Sequence, residues 1–431
     1  MIEITPEYEE VFSAIDRGDP YVFVSGRAGT GKTTLVNHLR NTLDGNVVVV
    51  APTGVAALQV RGVTIHSFFK FPPRLIFPEE DIKKLKDRRL YSKIRLLIID
   101  EISMVRADMI DAIDLFLRVN GPKEGRPFGG VQVMFVGDLF QLPPVVRSEE
   151  MDVLRSRNYD APFFFHAMCL HRQELTCVEL KKIFRQKDTE FTDLLNAIRI
   201  NENVPDSLEI INAACYHPNQ SEDSSAITLT TTNAKADSIN QRAIGSISGE
   251  QKTYVGKASG KFKLDERNLP APLNLALKIG ARVMFTANDK SMPRRWVNGS
   301  LATVTGFGEE VIKVELDNPY GKVHVEVPSF VWETYQYEID DETDQIKPVV
   351  IGAYEQFPLM LAWAVTIHKS QGKTLDRVKV DLAGGAFAPG QVYVALSRCT
   401  TMEGISLAKP IRPFDIKCDP YVKNFYQRLM M

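Results

Sequence analysis

Residues 22–39, VFVSGRAGTGKTTLVNHL, pass from strand-forming residues through glycine and small side chains into a helix-like run. Gly26, Gly31, Lys32 and Thr33 fit the G-x-x-x-x-G-K-[ST] pattern of a phosphate-binding loop. Tyr21 to Val24 read as a buried strand and Leu35 to Leu39 as the first turns of a helix, the context that pattern requires. Glycine lets backbone N–H groups turn inward toward an anion. The following helix directs its positive end to the same place. The candidate phosphate cradle is therefore Gly26, Ala28, Gly29, Thr30, Gly31, Lys32, Thr33 and Thr34. Lys32 is the residue that reaches β- and γ-phosphates, and Thr33 the one that ligates Mg²⁺.

Around this loop stand 431 residues, enough for two or three domains. The net charge of −2 gives no global electrostatic footprint, so any surface for a polyanion must be local. Five sparse cysteines form no C-x-x-C pair, which argues for a reducing compartment without disulfides or a zinc site. The opening MIEITPEYEEVF is acidic and has no signal-peptide core, and no apolar run approaches the ~20 residues of a membrane span. A cytoplasmic protein without membrane association is expected.

Residues 1–185 alternate strand-like and helix-like runs. YVFVS, NVVVVAP, RLLIIDE and VQVMFVGD are mostly apolar, as in a parallel sheet covered on both faces. An aromatic, proline-rich and basic insert, HSFFKFPPRLIFPEEDIKKLKDRR, reads as a small projecting element. The α/β idiom returns from about 190 to 270. Residues 275–352 change texture to short alternating runs separated by turn residues, which suggests a small all-β insertion. LMLAWAVTIHKSQG, DRVKVDLAG and PGQVYVALSRC resume the α/β pattern.

Three further stretches carry chemistry. RLLIIDEISMV runs four apolar residues into Asp100 and Glu101. Beside a phosphate loop, an acid at such a strand tip can hold Mg²⁺, and its neighbour can polarise a water for attack on the γ-phosphate. VQVMFVGDLFQLPPV places Gln141 before two prolines, where it can hydrogen-bond the γ-phosphate or the attacking water. Arg185 in IFRQ and Arg398 in YVALSRC lie far along the chain, and an arginine closing on a γ-phosphate stabilises transition-state charge.

GRAGTGKTT, APTGVAA, TIHSFF, IIDEISMV, GDLFQLPPV, IFRQ, VMFTAND, VNGSLATV, TIHKSQGKTLDRV and YVALSR occur in this order. Together they resemble the motifs of the petite integration frequency (Pif-one) family of superfamily-one, RecD-related DNA helicases. Residues 108–145 are similar to that family's signature. The resemblance spans nearly the whole chain. It implies an α/β fold of two RecA-like domains, 1–188 and 189–274 with 353–431. It further implies a wedge insertion at about 64–92 in the first and an SH3-like insertion at 275–352 in the second. ATP and Mg²⁺ are the implied cofactors, with Lys32, Thr33, Asp100, Glu101 and Gln141 on one side of the nucleotide and Arg185 and Arg398 on the other. Gly372 and Lys373 fall in the motif that links nucleotide to DNA.

Pro52, Thr53, Gly54, His66, Phe68, Phe69, Thr232, Asn233, His368 and Ser370 match motifs that line the single-strand path. Phe68, Phe69, Phe71 and His66 form a candidate stacking or wedging cluster. The implied activity is ATP-driven 5′-to-3′ movement on single-stranded DNA, acting as a monomer. Forks, partial duplexes, RNA–DNA hybrids and four-stranded guanine structures are its candidate substrates. The compact length fits a bacterial, nucleoid-associated member. One departure stands out: Tyr8 occupies the place of the family's adenine-reading glutamine, so adenine selectivity is less secure than phosphate binding. The competing reading is a nucleic-acid-binding NTPase switch without unwinding activity. ATPase activity with and without single-stranded DNA separates the two.

Overall fold

The computed structural model describes residues 3–43, 46–171, 173–186, 188–218, 225–264, 269–317, 322–382 and 384–429. The chain divides into two compact units. The first comprises 1–184, 333–351 and 419–431, and the second 185–332 and 352–418.

The first unit is built on six strands: β1 (Tyr21–Gly26), β2 (Val47–Ala51), β3 (Val63–Thr64), β4 (Leu96–Ile99), β5 (Gln132–Gly137) and β6 (Thr176–Leu180). They pair in parallel in the order β3-β2-β4-β5-β1-β6. β1, β2 and β4 are buried along their whole length, as a sheet covered on both faces requires. Alternate residues of β1 go to opposite faces. Val22 and Val24 join Val11, Leu35 and Leu39 from helices Pro6–Arg17 and Lys32–Thr42. Phe23 points the other way, 5.4 Å from the ring of Phe164 and 6.0 Å from that of Phe425.

Phe425 lies on the last helix, Pro420–Leu429, which the sequence reading assigns to the second domain. Its rings pack on the first unit: Phe425 stacks on Phe165 at 4.2 Å, and Tyr426 stacks on Phe140 at 4.7 Å. The helix is strongly amphipathic, and burying its aromatic stripe decides its place over chain order. β3 and β6 were also not expected. β3 is two residues long, and β6, TCVEL, carries two polar residues in five.

The second unit contains β7 (Ile227–Thr230), β8 (Lys252–Val255), β9 (Lys257–Gly260), β10 (Asn274–Leu277), β11 (Arg282–Phe285), β12 (Leu301–Phe307), β13 (Val311–Leu316) and β14 (Val323–Pro328). β15 (Phe330–Ile339) and β16 (Ile346–Gln356) are divided between the two units, and β17 (Leu359–Leu361), β18 (Ala364–Thr366), β19 (Val378–Asp381) and β20 (Ile405–Leu407) belong to the second. Its parallel sheet runs β18-β7-β19-β20. The buried Asn240 side chain both donates to and accepts from the Ala364 backbone, at 2.8 and 2.9 Å, along the sheet's outer strand. The all-β part is antiparallel, in the order β14-β13-β12-β11-β17. Its core is Val283, Phe285, Trp296, Val304 and Val314.

The span 275–352 is not all one body. Residues 333–351, the far part of the β15–β16 hairpin, belong to the first unit. There the Tyr337 hydroxyl accepts from the Val49 backbone N–H at 3.0 Å, and the Asn46 side chain accepts from the Ile346 N–H at 2.7 Å.

Candidate nucleotide and nucleic-acid sites

β1 ends in the phosphate loop, which is held in shape by its own polar groups. The Thr30 hydroxyl donates to the Arg27 carbonyl at 2.9 Å, and the Phe184 N–H donates to the Gly29 carbonyl at 2.9 Å. Gly31 caps the helix Lys32–Thr42 with φ +86°, and a Cβ there would press on the Tyr8 hydroxyl. Only glycine fits both demands. Lys32 folds over the loop, donating from Nζ to the carbonyls of Gly26 (2.7 Å) and Arg27 (3.0 Å). Ala28 and Thr30 are buried beneath the loop, while Thr33 and Thr34 are exposed on the helix's first turn.

Tyr8 sits under this loop. The sequence TPEYE opens helix Pro6–Arg17, with Thr5 accepting from the Tyr8 N–H and Pro6 in the first turn. That fixes Tyr8 so that its hydroxyl donates to the Gly31 carbonyl at 2.9 Å. The ring is buried, and burial raises its pKa. In place of a glutamine amide the chain has a phenol already committed to the loop backbone.

β4 delivers Asp100 and Glu101. Asp100 is buried, and burial together with the charge of Glu101 pushes its pKa up to about 7, with Lys32 pulling the other way. Glu101 takes the left-handed conformation at φ +50°, and its N–H donates to Asp100 Oδ1 at 2.9 Å. A non-glycine residue held there is a strained one. The two adjacent acids thus sit side by side at the strand tip, with the charge of Lys32 acting on Asp100. Thr33 and Asp100 offer the hard oxygen donors that suit Mg²⁺. No group of three or more His, Cys, Asp or Glu that could hold a metal occurs among the described residues, so a cation here would rely on nucleotide and water oxygens as well.

Past β5, Gln141 is buried, with Nε2 donating to Asp138 Oδ2 at 3.2 Å. Asp138 also accepts from the Phe140 N–H at 3.3 Å. Asp138 is therefore the residue that aims Gln141. The G-D-x-x-Q spacing was the available signal, since aspartate commonly bonds the backbone two residues on. Tyr426 from the last helix bonds Ser25, the residue before the phosphate loop, and stacks on Phe140. One ring therefore touches both nucleotide-facing segments, and nothing in the local sequence announced it.

In the second unit, Arg185 and Arg398 converge on one turn. Arg185 Nη1 donates to the Ser397 carbonyl at 3.4 Å, and Arg398 Nη2 donates to the Ser397 hydroxyl at 2.8 Å. Gln186 secures the same turn, donating to the carbonyls of Ser397 and Cys399, each at 3.2 Å. Arg398 is almost wholly buried and also donates to the carbonyls of Val394, Ser370 and Lys373. Burial lowers the pKa of Arg185. Lys373 is partly buried, and desolvation pulls its pKa down to about 8. Its Nζ donates to Asn298 Oδ1 at 2.7 Å. The neighbouring Gly299 has φ +100°, and a Cβ on it would lie 2.7 Å from the Thr374 carbonyl. The VNGS loop of the all-β part is thus docked on the Lys373 segment, a link the sequence reading did not make.

The DNA-path candidates divide. Thr53 caps helix Gly54–Gln59 by accepting from the Ala56 N–H, and Pro52 and Gly54 are part-exposed beside it. His66 is part-exposed on helix Ile65–Phe69. Thr232 and Asn233 are exposed just past β7. His368 is partly buried, and burial lowers its pKa. Phe68, Phe69 and Phe71 depart from the expected stacking platform, being 6%, 1% and 5% exposed. Phe68 meets Tyr91 and Tyr337 edge-on, and Phe69 stacks on Phe71 and meets Phe116 edge-on. Their faces are spent on core packing. Ser370 is fully buried too, its hydroxyl donating to the Ile367 carbonyl at 2.8 Å, so it shapes the turn rather than offering a hydroxyl to DNA.

Among the described residues no helix is long and apolar enough to cross a membrane, and all five cysteines are free thiols. Residues 3–206 match the family description PIF1-like helicase. An ATP-dependent DNA helicase PIF1 of Emericella nidulans is 32% identical over 98% of this chain. The chain spans 62% of that relative's length, just under two thirds. An ATP-dependent DNA helicase Pif1 of Bdellovibrio bacteriovorus is 33% identical over 99% of this chain and 92% of its own. Pif1 from Bacteroides sp, solved in complex with ADP-AlF4, superposes with a TM-score of 0.91 at 39% identity, covering 100% of this chain and 98% of that one. The same protein bound to ssDNA gives 0.70, covering 99% and 97%. With a mixed α/β architecture and full-length likeness to these structures, the chain belongs to the PIF1-like helicase family.

Proposed function

We propose that this protein is an ATP-dependent DNA helicase that moves 5′ to 3′ on single-stranded DNA and separates duplex arms at forks. The observation that carries this reading is the pairing of two kinds of α/β unit in one chain. One holds a complete phosphate-loop set, Lys32, Asp100, Glu101 and Gln141. The other fastens two arginines, Arg185 and Arg398, to the single turn at Ser397. A nucleotide-dependent switch has no need of the second set.

Thr33 and Asp100 would hold Mg²⁺, which when bound would offset phosphate charge. Lys32 leaves the Gly26 and Arg27 carbonyls for the β- and γ-phosphates. Glu101 accepts a proton from the attacking water, and Gln141, aimed by Asp138, orients that water. Arg185 and Arg398 stabilise the charge that develops on the transferred group. Gly372 and Lys373 carry the nucleotide state to DNA, with Asn298 setting the Lys373 side chain. Pro52, Thr53, Gly54, His66, Thr232, Asn233 and His368 line the path of the strand. A single chain carries every part, so the monomer is the translocating unit, acting on chromosomal DNA in the cytoplasm. Stable guanine quadruplexes and RNA–DNA hybrids are further substrates for a motor that tracks one strand.

The test is ATP turnover with and without oligothymidine, followed by unwinding of forks carrying only a 5′ or only a 3′ tail. Strong stimulation and unwinding of the 5′-tailed fork are expected. Flat turnover would leave the switch reading instead, and unwinding of only the 3′-tailed fork would reverse the polarity.

A further inference from the structure

Residues 82–93, IKKLKDRRLYSK, carry six cations, Lys83, Lys84, Lys86, Arg88, Arg89 and Lys93, against one acid, Asp87. In a chain of net charge −2 this is a strong local excess. A lysine-rich surface segment is ordinarily mobile, but this one is clamped. The buried Asn120 donates from Nδ2 to the Lys83 carbonyl at 3.1 Å and accepts at Oδ1 from the Leu85 N–H at 2.8 Å. Arg88 donates to the Val119 carbonyl at 3.3 Å, and the buried Tyr91 donates its hydroxyl to the Phe68 carbonyl at 2.7 Å. Lys93 pairs with Asp344.

Between this segment and the turn at Gly121–Glu124 lies an open cavity of about 550 Å³, whose lining includes Lys86, Arg88, Arg89 and Ser92. Its two acids are already engaged. Glu124 bonds Lys84 at 2.8 Å and Arg88 at 3.0 Å, and Asp87 bonds Arg89 at 2.9 Å. These cations hold the pKa of both carboxyls below the ordinary range. Among the described residues Lys86 has no acid partner, and Arg89 remains three-quarters exposed. The cavity therefore suits an anion. The nearby rings of Phe68, Phe69, Tyr91 and Phe116 are buried against one another, so none offers a face to an unpaired base. Single-strand sites combine charge with stacking. Duplex DNA instead presents phosphates with its bases turned inward.

We propose that this cavity seats the phosphodiester backbone of a DNA duplex arm, with Lys86 and Arg89 as contacts and Asn120 as the positioning residue. The proposal rests on the DNA-helicase reading. Its test uses the full chain with Lys86→Glu and Arg89→Glu together, both at exposed positions. Binding to a blunt hairpin duplex is followed across salt, beside oligothymidine affinity and oligothymidine-stimulated ATP turnover. Duplex affinity should fall on the order of tenfold at low salt, and the log–log salt dependence should become shallower by about 2. Oligothymidine affinity and turnover should not change. Asn120→Ala keeps every cation in the chain, and it should weaken duplex binding and flatten the salt dependence while turnover on oligothymidine stays intact. Unchanged duplex binding in the double variant overturns the proposal. So does an equal loss on oligothymidine, which would make this a single-strand site. If the unaltered protein shows no oligothymidine-stimulated turnover, the helicase reading fails, and the duplex comparison still decides the cavity.

Discussion

The candidate site residues of the two units differ in charge. In the first unit the strand tips gather acids, Asp100, Glu101 and Asp138, and burial leaves Asp100 reluctant to ionise. In the second the chemistry is cationic. Arg185, Arg398 and Lys373 are buried or partly so and are held by neutral oxygens, the carbonyls of Val394, Ser370, Lys373 and Ser397 and the side chains of Ser397 and Asn298. Lys32 stands by the acids of the first set, and carbonyl and hydroxyl oxygens take hydrogen bonds from the arginines of the second.

The sharpest way to break this contrast is on the cationic side. Arg398→Ala should leave nucleotide binding in place and lower turnover on the order of 10³-fold, as loss of a transition-state arginine does. Arg185→Ala should act in the same direction. If both variants hydrolyse ATP normally in single-turnover assays, the second unit takes no part in chemistry.

On the acidic side the expectation concerns pH. The folded-state pKa of Asp100 lies above its ordinary value, at about 7. Without metal the folded protein therefore binds an extra proton between the ordinary carboxylate range and about 7. Stability is gained as pH falls through that window and lost as it rises. Mg²⁺ needs the ionised form, so at limiting metal the apparent metal affinity should weaken as pH falls, and saturating metal should restore turnover. Asp100→Asn should flatten the pH dependence of metal-free stability, read by thermal melts. An unchanged profile in that variant would assign the titration elsewhere.

A smaller effect tests the helix that returns to the first unit. Tyr426→Phe keeps the stack on Phe140 and removes the bond to Ser25, at a cost of about 1 kcal/mol. The loss should show in melts of the nucleotide-bound protein. The smallest is Tyr8→Gln, which frees the Gly31 carbonyl and supplies an amide. The ratio of ATP to GTP turnover should rise a few-fold, and a falling or unmoved ratio would detach Tyr8 from base selection.

The strand–loop–helix turn at Gly26–Lys32 was legible because glycine spacing and the flanking apolar runs dictate its backbone locally. The acids after β4 and the Gln141 turn were legible for the same reason: an apolar run has to end, and polar residues at its end face the ligand side of the sheet. The aromatic run HSFFKF misled because composition does not say which face of a ring is covered. Phe68 is buried partly by Tyr337, from a hairpin more than 250 residues away in sequence. Asn120 reads as an ordinary helix-end residue until the Lys83–Leu85 backbone is laid across it.

The sequence alone determined the covalently local devices: the glycine-rich loop between β1 and its helix and the apolar runs that become β1, β2, β4 and β5. These depend on residues within a few positions of one another. Only the tertiary structure decided that the last helix packs on the first unit and that Arg185 and Arg398 share Ser397. It alone fixed Lys373 on Asn298 and left the rings of the insertion no free face. Each of these pairs residues far apart in the chain, where the free energy of burying a surface or satisfying a buried donor sets the partner and sequence spacing carries no record of it.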